Sequence, residues 1–344
     1  MADRTLTVRV ARKRRQTPDV TAFELVHPRG GVLPAGPAGA HIDVHLPGGF
    51  TRQYSLAFAE PVALGRAGAA GGGCTRYVIG VKHEPLDAGG RGGSAALHER
   101  VHEGDLLAIS TPRNTFPLQA GARHHLLLAG GIGLTPLLAM AQQLQREGAA
   151  FTLCVFARSR AHLPFADALA ALGPSVRLHF DRPDDGAPAP RLDIGELVRA
   201  AVDGTHLYLC GPAGFMQAVR TAAAGWPDER VHLEYFAPPA GEGGAAPGDE
   251  PFRLVVAGRG REVVVTVDAE QSAVEALHEI GIEVPTSCAQ GMCGTCVVPL
   301  VAQAGAGAPD HRDHCLSATE RRTKVALCCS RAKGGSRLVV ELPD

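Results

Sequence analysis

The chain has almost no excess charge: 34 Lys and Arg stand against 35 Asp and Glu, a formal net charge of −1. A polyanion would find no overall field to steer it, so neither nucleic acid nor an anionic membrane is expected as the main partner. Long apolar runs are missing too. Nothing approaches the roughly 20 residues that a bilayer-spanning helix needs, and 1–20 lacks a signal-type apolar region. The basic cluster Arg12-Lys13-Arg14-Arg15 is the one feature there resembling a targeting signal, and a solvated strand end or turn accounts for it better. A disulfide framework is absent as well. The nine cysteines are odd in number and gather toward the C-terminus, which excludes the usual secreted pattern and points to the reducing cytoplasm. No heptad pattern calls for a partner helix, so a monomer is expected.

What is present begins with Pro285-Thr-Ser-Cys288-Ala-Gln-Gly-Met-Cys293-Gly-Thr-Cys296, with Cys328 a long way downstream. A C-x4-C-x2-C loop followed by a distant cysteine is the plant-type spacing of a [2Fe-2S] cluster, which takes four thiolates. Gly291 and Gly294 permit the positive-φ turns that aim backbone amides at cluster sulfurs. Structural zinc sites pair their ligands in two knuckles, which this three-plus-one spacing does not supply; zinc or a set of buried thiols is the weaker alternative. Cys328 and Cys329 are adjacent and only one can ligate. Spacing selects Cys328 and leaves Cys329 spare.

A length of 344 residues predicts two or three domains. From Thr5 to about Pro117 the pattern is short β-type runs between Gly/Pro turns: 6–10, 20–26, 41–46, 76–81 and 105–110. Five or six such strands, with no convincing helical stretch, predict a small antiparallel barrel. The Gly/Ala run 65–73 reads as a mobile hairpin loop. Arg52-Gln53-Tyr54-Ser55 falls on a barrel strand after Gly48-Gly49. Gly89-Gly-Arg91-Gly-Gly93-Ser94 offers backbone amides, a hydroxyl and a guanidinium, groups that suit a phosphate, although a flexible glycine loop is its default reading.

After Gly121 β and α patterns alternate. A strand at 124–129, the turn Gly130-Gly131-Ile-Gly133-Leu-Thr135-Pro136 and a helix over 137–146 are followed by buried-strand candidates at 151–156, 176–180 and 206–210. That succession predicts a parallel, nucleotide-binding sheet. The glycine turn has Pro136 where the dinucleotide fingerprint has its third glycine, and Pro136 fits the first helical turn because it needs no amide hydrogen there. A second strand-to-helix turn, Cys210-Gly211-Pro212-Ala-Gly214-Phe-Met216, pairs with the first to predict a crevice. Residues 238–251 are Pro/Gly/Ala-rich and read as a flexible linker. A hairpin over 252–267, a helix over 272–280 capped by Ser272 with Ala273, Val274, Ala276, Leu277 and Ile280 on its packing side, and a closing strand over 337–342 surround the cysteine loop.

In this order the motifs resemble the phthalate dioxygenase reductase family, and within it the vanillate O-demethylase reductase subunits. Glu234-Tyr-Phe236, Pro112-Arg-Asn-Thr-Phe-Pro117, Asp310-His-Arg-Asp313 and Cys328-Cys-Ser-Arg331 extend the likeness over nearly the whole chain. The resemblance implies an FMN-binding antiparallel β-barrel over 1–118, a parallel-sheet NAD(P)-binding α/β domain over 119–237, a linker over 238–250 and a β-grasp ferredoxin-like [2Fe-2S] domain over 251–344. It also implies residue roles. Arg52 would bind the flavin phosphate, Tyr54 would pack on the flavin and Ser55 would approach its ring, with Gln53 in the same motif. Lys82, Gly93 and Ser94 would help hold the ribityl phosphate. Gly131, Gly133, Thr135 and Pro136 would shape the pyrophosphate turn. Cys210 and Gly211 would lie beside the nicotinamide, and Phe236 near the flavin face.

The family's nucleotide is NADH, yet the next strand ends in Ala157-Arg158-Ser159-Arg160, which suits a 2′-phosphate and leaves NADPH open. Direct hydride transfer needs no acid, base or nucleophile, so the histidines are expected to be structural. Absent from the chain are a non-haem iron facial triad, a haem signature and a Rieske-type Cys-x-His pair. The resemblance therefore implies a separate Rieske-type oxygenase acting on an aromatic or similar small acid. The alternatives are a stand-alone NAD(P)H-dependent reductase of other acceptors and a non-enzymatic iron–sulfur carrier or sensor.

Overall fold

The computed structural model describes residues 5–62, 72–85, 92–182, 192–237, 245–258, 261–302, 307–317, 319–333 and 336–342. The Gly/Ala run up to residue 71, Arg91 with its two preceding glycines, the first half of the linker and the tip of the 252–267 hairpin lie outside the described residues, and Gly73 at the end of that run already belongs to a strand. Two compact units divide the chain, Met1–Glu234 and Tyr235–Asp344. Among the described residues no helix is long and apolar enough to cross a membrane.

The first unit opens with a closed antiparallel barrel. Its strands are β1 (Thr5–Arg15), β2 (Val20–Val26), β3 (Leu33–Pro34), β4 (Ala40–Leu46), β5 (Phe50–Pro61), β6 (Gly73–Lys82), β7 (Leu106–Ser110) and β8 (Arg113–Asn114). Six of them run β2-β1-β7-β4-β5-β6 around the barrel, and β6 pairs back onto β2, so the six-stranded wall has no free edge. Alternation places Val8, Val10, Phe23, Leu25, Ile42, Val44, Tyr77 and Ile79 inside. The basic cluster belongs to β1. Lys13 Nζ donates to the carbonyl oxygens of His98 (2.6 Å) and Val101 (2.8 Å), at the C-terminal end of a helix where a cation is favoured.

That helix, α1 (Gly93–Arg100), corrects the expectation of a helix-free barrel and of a glycine loop through Ser94. Its start is glycine-rich and its sequence, Gly-Ser-Ala-Ala-Leu-His-Glu-Arg, carries only one large apolar residue, so no 3.6-residue period announces it. Burial of Ala95, Ala96 and Leu97 against the barrel holds it instead.

The rest of this unit is a five-stranded parallel sheet. Strands β9 (His124–Gly130), β10 (Phe151–Ala157), β11 (Val176–Phe180), β12 (Thr205–Cys210) and β13 (Val231–Glu234) lie in the order β11-β10-β9-β12-β13. Helices α2 (Leu134–Glu147), α3 (Ala166–Ala171), α4 (Ile194–Arg199) and α5 (Ala213–Ala222) connect them. β9 sits at the centre and is apolar throughout Leu126–Ala129, as a strand covered on both faces must be. α2 buries Leu137, Leu138, Met140, Ala141 and Leu144, the stripe its sequence period predicts.

The second unit contains β14 (Phe252–Gly258), β15 (Arg261–Val267), β16 (Val297–Pro299), β17 (Pro309–Asp310), β18 (Lys324–Ala326), β19 (Arg331–Ala332), β20 (Arg337–Glu341) and α6 (Ala273–Glu279). β14 pairs antiparallel with β15 and parallel with β20, while β16–β18 and β17–β19 form two short ribbons. Ser272 caps α6 in a reciprocal box with Glu275, an arrangement that contributes about 1 kcal/mol. Ala273, Ala276 and Leu277 are buried as expected. Ile280 is 49% exposed, contrary to the expectation, because it is the C-cap residue and no longer follows the helical face.

The described part of the linker is tied down. Asp249 receives a two-pronged contact from Arg312 (2.6 and 2.7 Å), whose Nε also pairs with Asp310 at 2.8 Å. Arg331 Nη2 donates to the carbonyl oxygens of Glu250 and Asp268. The hydrogen bonds from Arg312, more than any other influence, hold the Asp249 carboxyl down to about 2 from 3.8. A depressed carboxylate stabilises the fold fully above its unfolded value and loses that contribution as pH falls through about 2. Asp249→Asn should therefore cost the second unit about 1–2 kcal/mol at neutral pH, since it removes the charge that the half-buried Arg312 guanidinium grips with two hydrogen bonds. Urea unfolding followed by circular dichroism measures this, and a loss below about 0.5 kcal/mol would show that the pair is only decorative.

Candidate redox sites

In a parallel sheet, ligands bind beyond the carboxyl ends of the strands, at the point where strand order reverses. Here the reversal lies between β9 and β12, whose paired ends are Ala129 and Cys210. Both expected glycine turns stand there: Gly131–Gly133 forms one turn of 3-10 helix leading into α2, and Gly211-Pro212 leads into α5. A Cβ on Gly133 would lie 2.3 Å from the carbonyl oxygen of Cys210 and 2.6 Å from the amide of Gly211, so only glycine lets the two turns approach. Gly133→Ala should force them apart and weaken nucleotide binding by at least about tenfold. Titration with NADH checks this, and unchanged affinity in the folded variant would count against the crevice.

A cavity of about 840 Å³ opens at this point, lined among others by Gly131, Pro212, Phe215, Arg158, Lys82 and Asp19. Thr135 and Pro136 are buried, and the Thr135 hydroxyl donates to the carbonyl oxygen of Ile132 at 3.1 Å. They shape the turn from behind and stand apart from the cavity's lining.

The barrel motif spreads its four side chains. Arg52 donates to the carbonyl oxygen of Thr51 and packs against the Cα of Gly93, at the start of α1. This brings a guanidinium to a helix N-terminus with Ser94 in its first turn, an anion-binding combination. Ser94 Oγ exchanges hydrogen bonds with the backbone of Glu84, and Lys82 Nζ lies 3.8 Å from the Glu84 carboxylate. Gln53 turns aside and donates to Asp43 at 3.0 Å, on the same carboxylate that Arg113 holds at 2.7 Å.

Ser55 is buried and its Oγ donates to Glu234 Oε2 at 3.0 Å, across 179 positions of sequence. Glu234 ends β13 in register with Cys210. Burial raises the Glu234 carboxyl from 4.5 to about 7, against the opposing hydrogen bond from Ser55. Burial also pushes the Cys210 thiol well above its ordinary value, and the neighbouring Glu234 adds to the effect. Ser55 and Cys210 are buried and Glu234 is half-buried beside them, so the three form one polar group. Sequence reasoning assigned roles to the first two and none to Glu234, although it lies in the quoted Glu234-Tyr-Phe236 motif. Phe236 falls in the second unit and is 39% exposed.

In that unit Cys288, Cys293, Cys296 and Cys328 share one pocket. Among the described residues they meet as thiol pairs rather than as three ligands around one point: Cys288 contacts Cys293 and Cys328, and Cys296 contacts Cys328. Backbone amides point at the sulfurs, Gly291 at Cys328 (3.1 Å), Gln290 and Met292 at Cys288 (both 3.4 Å) and Thr295 at Cys293 (3.4 Å). Hydrogen bonds from Cys293 and Cys328, then from these amides, hold the Cys288 thiol well below its ordinary value. Ala289 takes φ 54° and Gly291 φ 72°, the left-handed turns that produce this inward aim. Cys329 lies at the margin of this group: its Sγ contacts Cys328 alone among the four, would lie 2.6 Å from a Cβ on Gly291, and has the carbonyl oxygen of Ala326 and the hydroxyl of Ser330 at 3.9 Å. Thiolates in pairs with amides directed at them fit a two-iron, sulfide-bridged cluster.

Barrel, switch-point crevice and cysteine pocket together define a flavin- and nicotinamide-dependent iron–sulfur reductase. Comparison with known proteins makes the assignment specific. Residues 256–333 match the 2Fe-2S iron-sulfur cluster binding domain, and 109–231 match the N-terminal domain of dimethylamine monooxygenase subunit DmmA-like proteins. The chain is 43% identical over 347 residues to the tert-butanol monooxygenase / tert-amyl alcohol desaturase reductase subunit of Aquincola tertiaricarbonis, covering 98% of this chain and 96% of that one. It is 42% identical to the vanillate O-demethylase oxidoreductase of Pseudomonas sp. strain HR199, covering 94% and 96%. Its fold superimposes on phthalate dioxygenase reductase, a modular structure for electron transfer from pyridine nucleotides to [2Fe-2S], with a TM-score of 0.66, 34% identity and 98% coverage of both chains. The chain belongs to the phthalate dioxygenase reductase family. It is an oxidoreductase, the reductase component of an oxygenase system, with FMN, a [2Fe-2S] cluster and NAD(H) as its cofactors.

Proposed function

We propose that the chain accepts hydride from NADH at the crevice between β9 and β12 and passes single electrons from its cysteine pocket to a separate Rieske-type oxygenase. That partner acts on an aromatic or similar small acid. The reading divides the chain into an FMN barrel (1–118), a nucleotide domain (119–237), a linker (238–250) and a ferredoxin domain (251–344), working as a monomer in the cytoplasm. The observation that carries it is the Ser55–Glu234 hydrogen bond beside Cys210, which joins the barrel's flavin motif to the edge of the nucleotide sheet.

FMN, when bound, takes up two electrons together and releases them one at a time, matching a hydride donor to a one-electron cluster. The chain's own residues do the placing. Arg52 and the α1 N-terminus at Gly93 and Ser94 hold its phosphate, with Lys82 nearby; Tyr54 packs on its ring, and Gln53 stiffens the strand through Asp43. Gly131 and Gly133 let the pyrophosphate approach backbone, Thr135 and Pro136 brace that turn, and Cys210 with Gly211 floor the nicotinamide side. Ser55 and Glu234 would line the flavin side of the site, and Glu234, ionising near pH 7, would set how much negative charge stands there when a hydride is delivered. Cys288, Cys293, Cys296 and Cys328 ligate the cluster.

Reconstitution with a purified Rieske-type oxygenase and its substrate tests the reading. NADH should drive oxygen uptake that requires both proteins and the oxygenase's substrate. Rapid reduction of artificial acceptors with no coupled oxygenase turnover would instead identify a stand-alone reductase.

A further inference from the structure

The end of β10 is where a sheet of this kind decides between a ribose 2′-hydroxyl and a 2′-phosphate. The sequence there, Ala157-Arg158-Ser159-Arg160, looks made for phosphate, yet neither guanidinium stands ready for one. Arg158 Nη2 lies 2.6 Å from Asp19 Oδ2, and the Arg160 guanidinium sits over the Phe180 ring, 5.6 Å from its centre. Asp19 comes from the turn between β1 and β2 and is fixed before any ligand arrives. Its other oxygen accepts from Thr17 Oγ1 at 2.8 Å, and its carbonyl oxygen accepts from the amide of His83 at 2.7 Å. Both members of the pair line the 840 Å³ cavity. Asp181, 3.5 Å from His179, adds a second carboxylate to the same wall, and Lys82 lies opposite Glu84.

We propose that Asp19 is the specificity-determining residue for the nucleotide: it holds Arg158 away from a 2′-phosphate and sets a carboxylate where that phosphate would stand, so that NADH is taken and NADPH refused. The inference rests on the crevice being the nicotinamide nucleotide site. A 2′-hydroxyl can donate to a carboxylate, whereas a 2′-phosphate brings two negative charges to it and must also break an existing ion pair. The signal was illegible in the chain because the neutralising partner lies 139 positions upstream, in the barrel.

The test uses the full chain carrying FMN and cluster. kcat/KM for NADH and for NADPH is measured for the wild type, Asp19→Asn, Arg158→Ala and the double variant, with 5′-AMP and 2′,5′-ADP as competitive inhibitors. The wild type should prefer NADH. Asp19→Asn should raise the NADPH-to-NADH ratio by at least about tenfold and tighten 2′,5′-ADP relative to 5′-AMP, and adding Arg158→Ala should erase the gain. An unchanged ratio in flavin-replete Asp19→Asn, a gain that survives without Arg158, or a wild type that prefers NADPH would overturn the assignment. A wild type reduced by neither nucleotide would overturn the underlying site as well, and so separates the two failures.

Discussion

Cys328→Ser should remove the [2Fe-2S] chromophore, while Cys329→Ser, one position on, should keep it. The contrast follows from where the two sulfurs point. Cys328 stands in the middle of the group, meeting Cys288 and Cys296 and accepting from the Gly291 amide at 3.1 Å; Cys329 touches only Cys328 of the four and otherwise faces the Gly291 Cα and the carbonyl oxygen of Ala326. A serine hydroxyl, with an ordinary pKa far above a thiol's, makes a poor fourth ligand, so electron output to any one-electron acceptor should fall by about a hundredfold or more. Reduction of the flavin by NADH should persist in Cys328→Ser, because its residues belong to the first unit. Iron and sulfide content, visible spectra and electron paramagnetic resonance of both variants decide the point. Cluster loss in Cys329→Ser with retention in Cys328→Ser would reverse the ligand assignment.

The rate of flavin reduction by NADH should fall as pH rises through about 7, and Glu234→Gln should flatten that profile. The Glu234 carboxyl is raised from 4.5 to about 7, so it is largely neutral below that range and ionised above it. Hydride delivery adds one negative charge to the site. An ionised carboxylate beside that charge would oppose it: two unit charges about 6 Å apart repel by about 3 kcal/mol at an effective dielectric of 20, and solvent around the mouth would reduce the difference to about tenfold in rate. The same shift affects stability in the same direction. A carboxyl whose folded pKa lies above its unfolded one favours the fold at low pH and costs it stability as pH climbs from 4.5 to about 7. Stopped-flow reduction from about pH 5.5 to 8.5 compares the two proteins. A wild-type profile already flat, or an inflection that survives in Glu234→Gln, would remove Glu234 from the reaction.

Much of the architecture was legible because it is written locally. β2 and β11 begin and end where alternation and apolar runs place them, and α2 follows its 3.6-residue stripe. The cysteine pocket was legible for another reason: spacing within one loop is a covalent constraint, and Cys288, Cys293 and Cys296 lie within nine residues. What escaped is set by contacts between distant segments. α1 has no stripe to betray it, and its role depends on Arg52 reaching its first turn. Glu234 meets Ser55 only because β13 lies at the sheet edge next to β12. Arg158 reads as an available cation until Asp19 is brought beside it. Gln53 looked like part of the flavin motif and is spent on Asp43.

The most direct measurement is anaerobic reduction of the purified, cofactor-replete protein by NADH, following the flavin band and the electron paramagnetic resonance of the reduced cluster in one experiment. Flavin should bleach first and the cluster signal should follow, with Cys328→Ser stopping after the first event. A cluster signal that grows while the flavin band stays oxidised, or in protein stripped of FMN, would contradict the route from nicotinamide through flavin to iron.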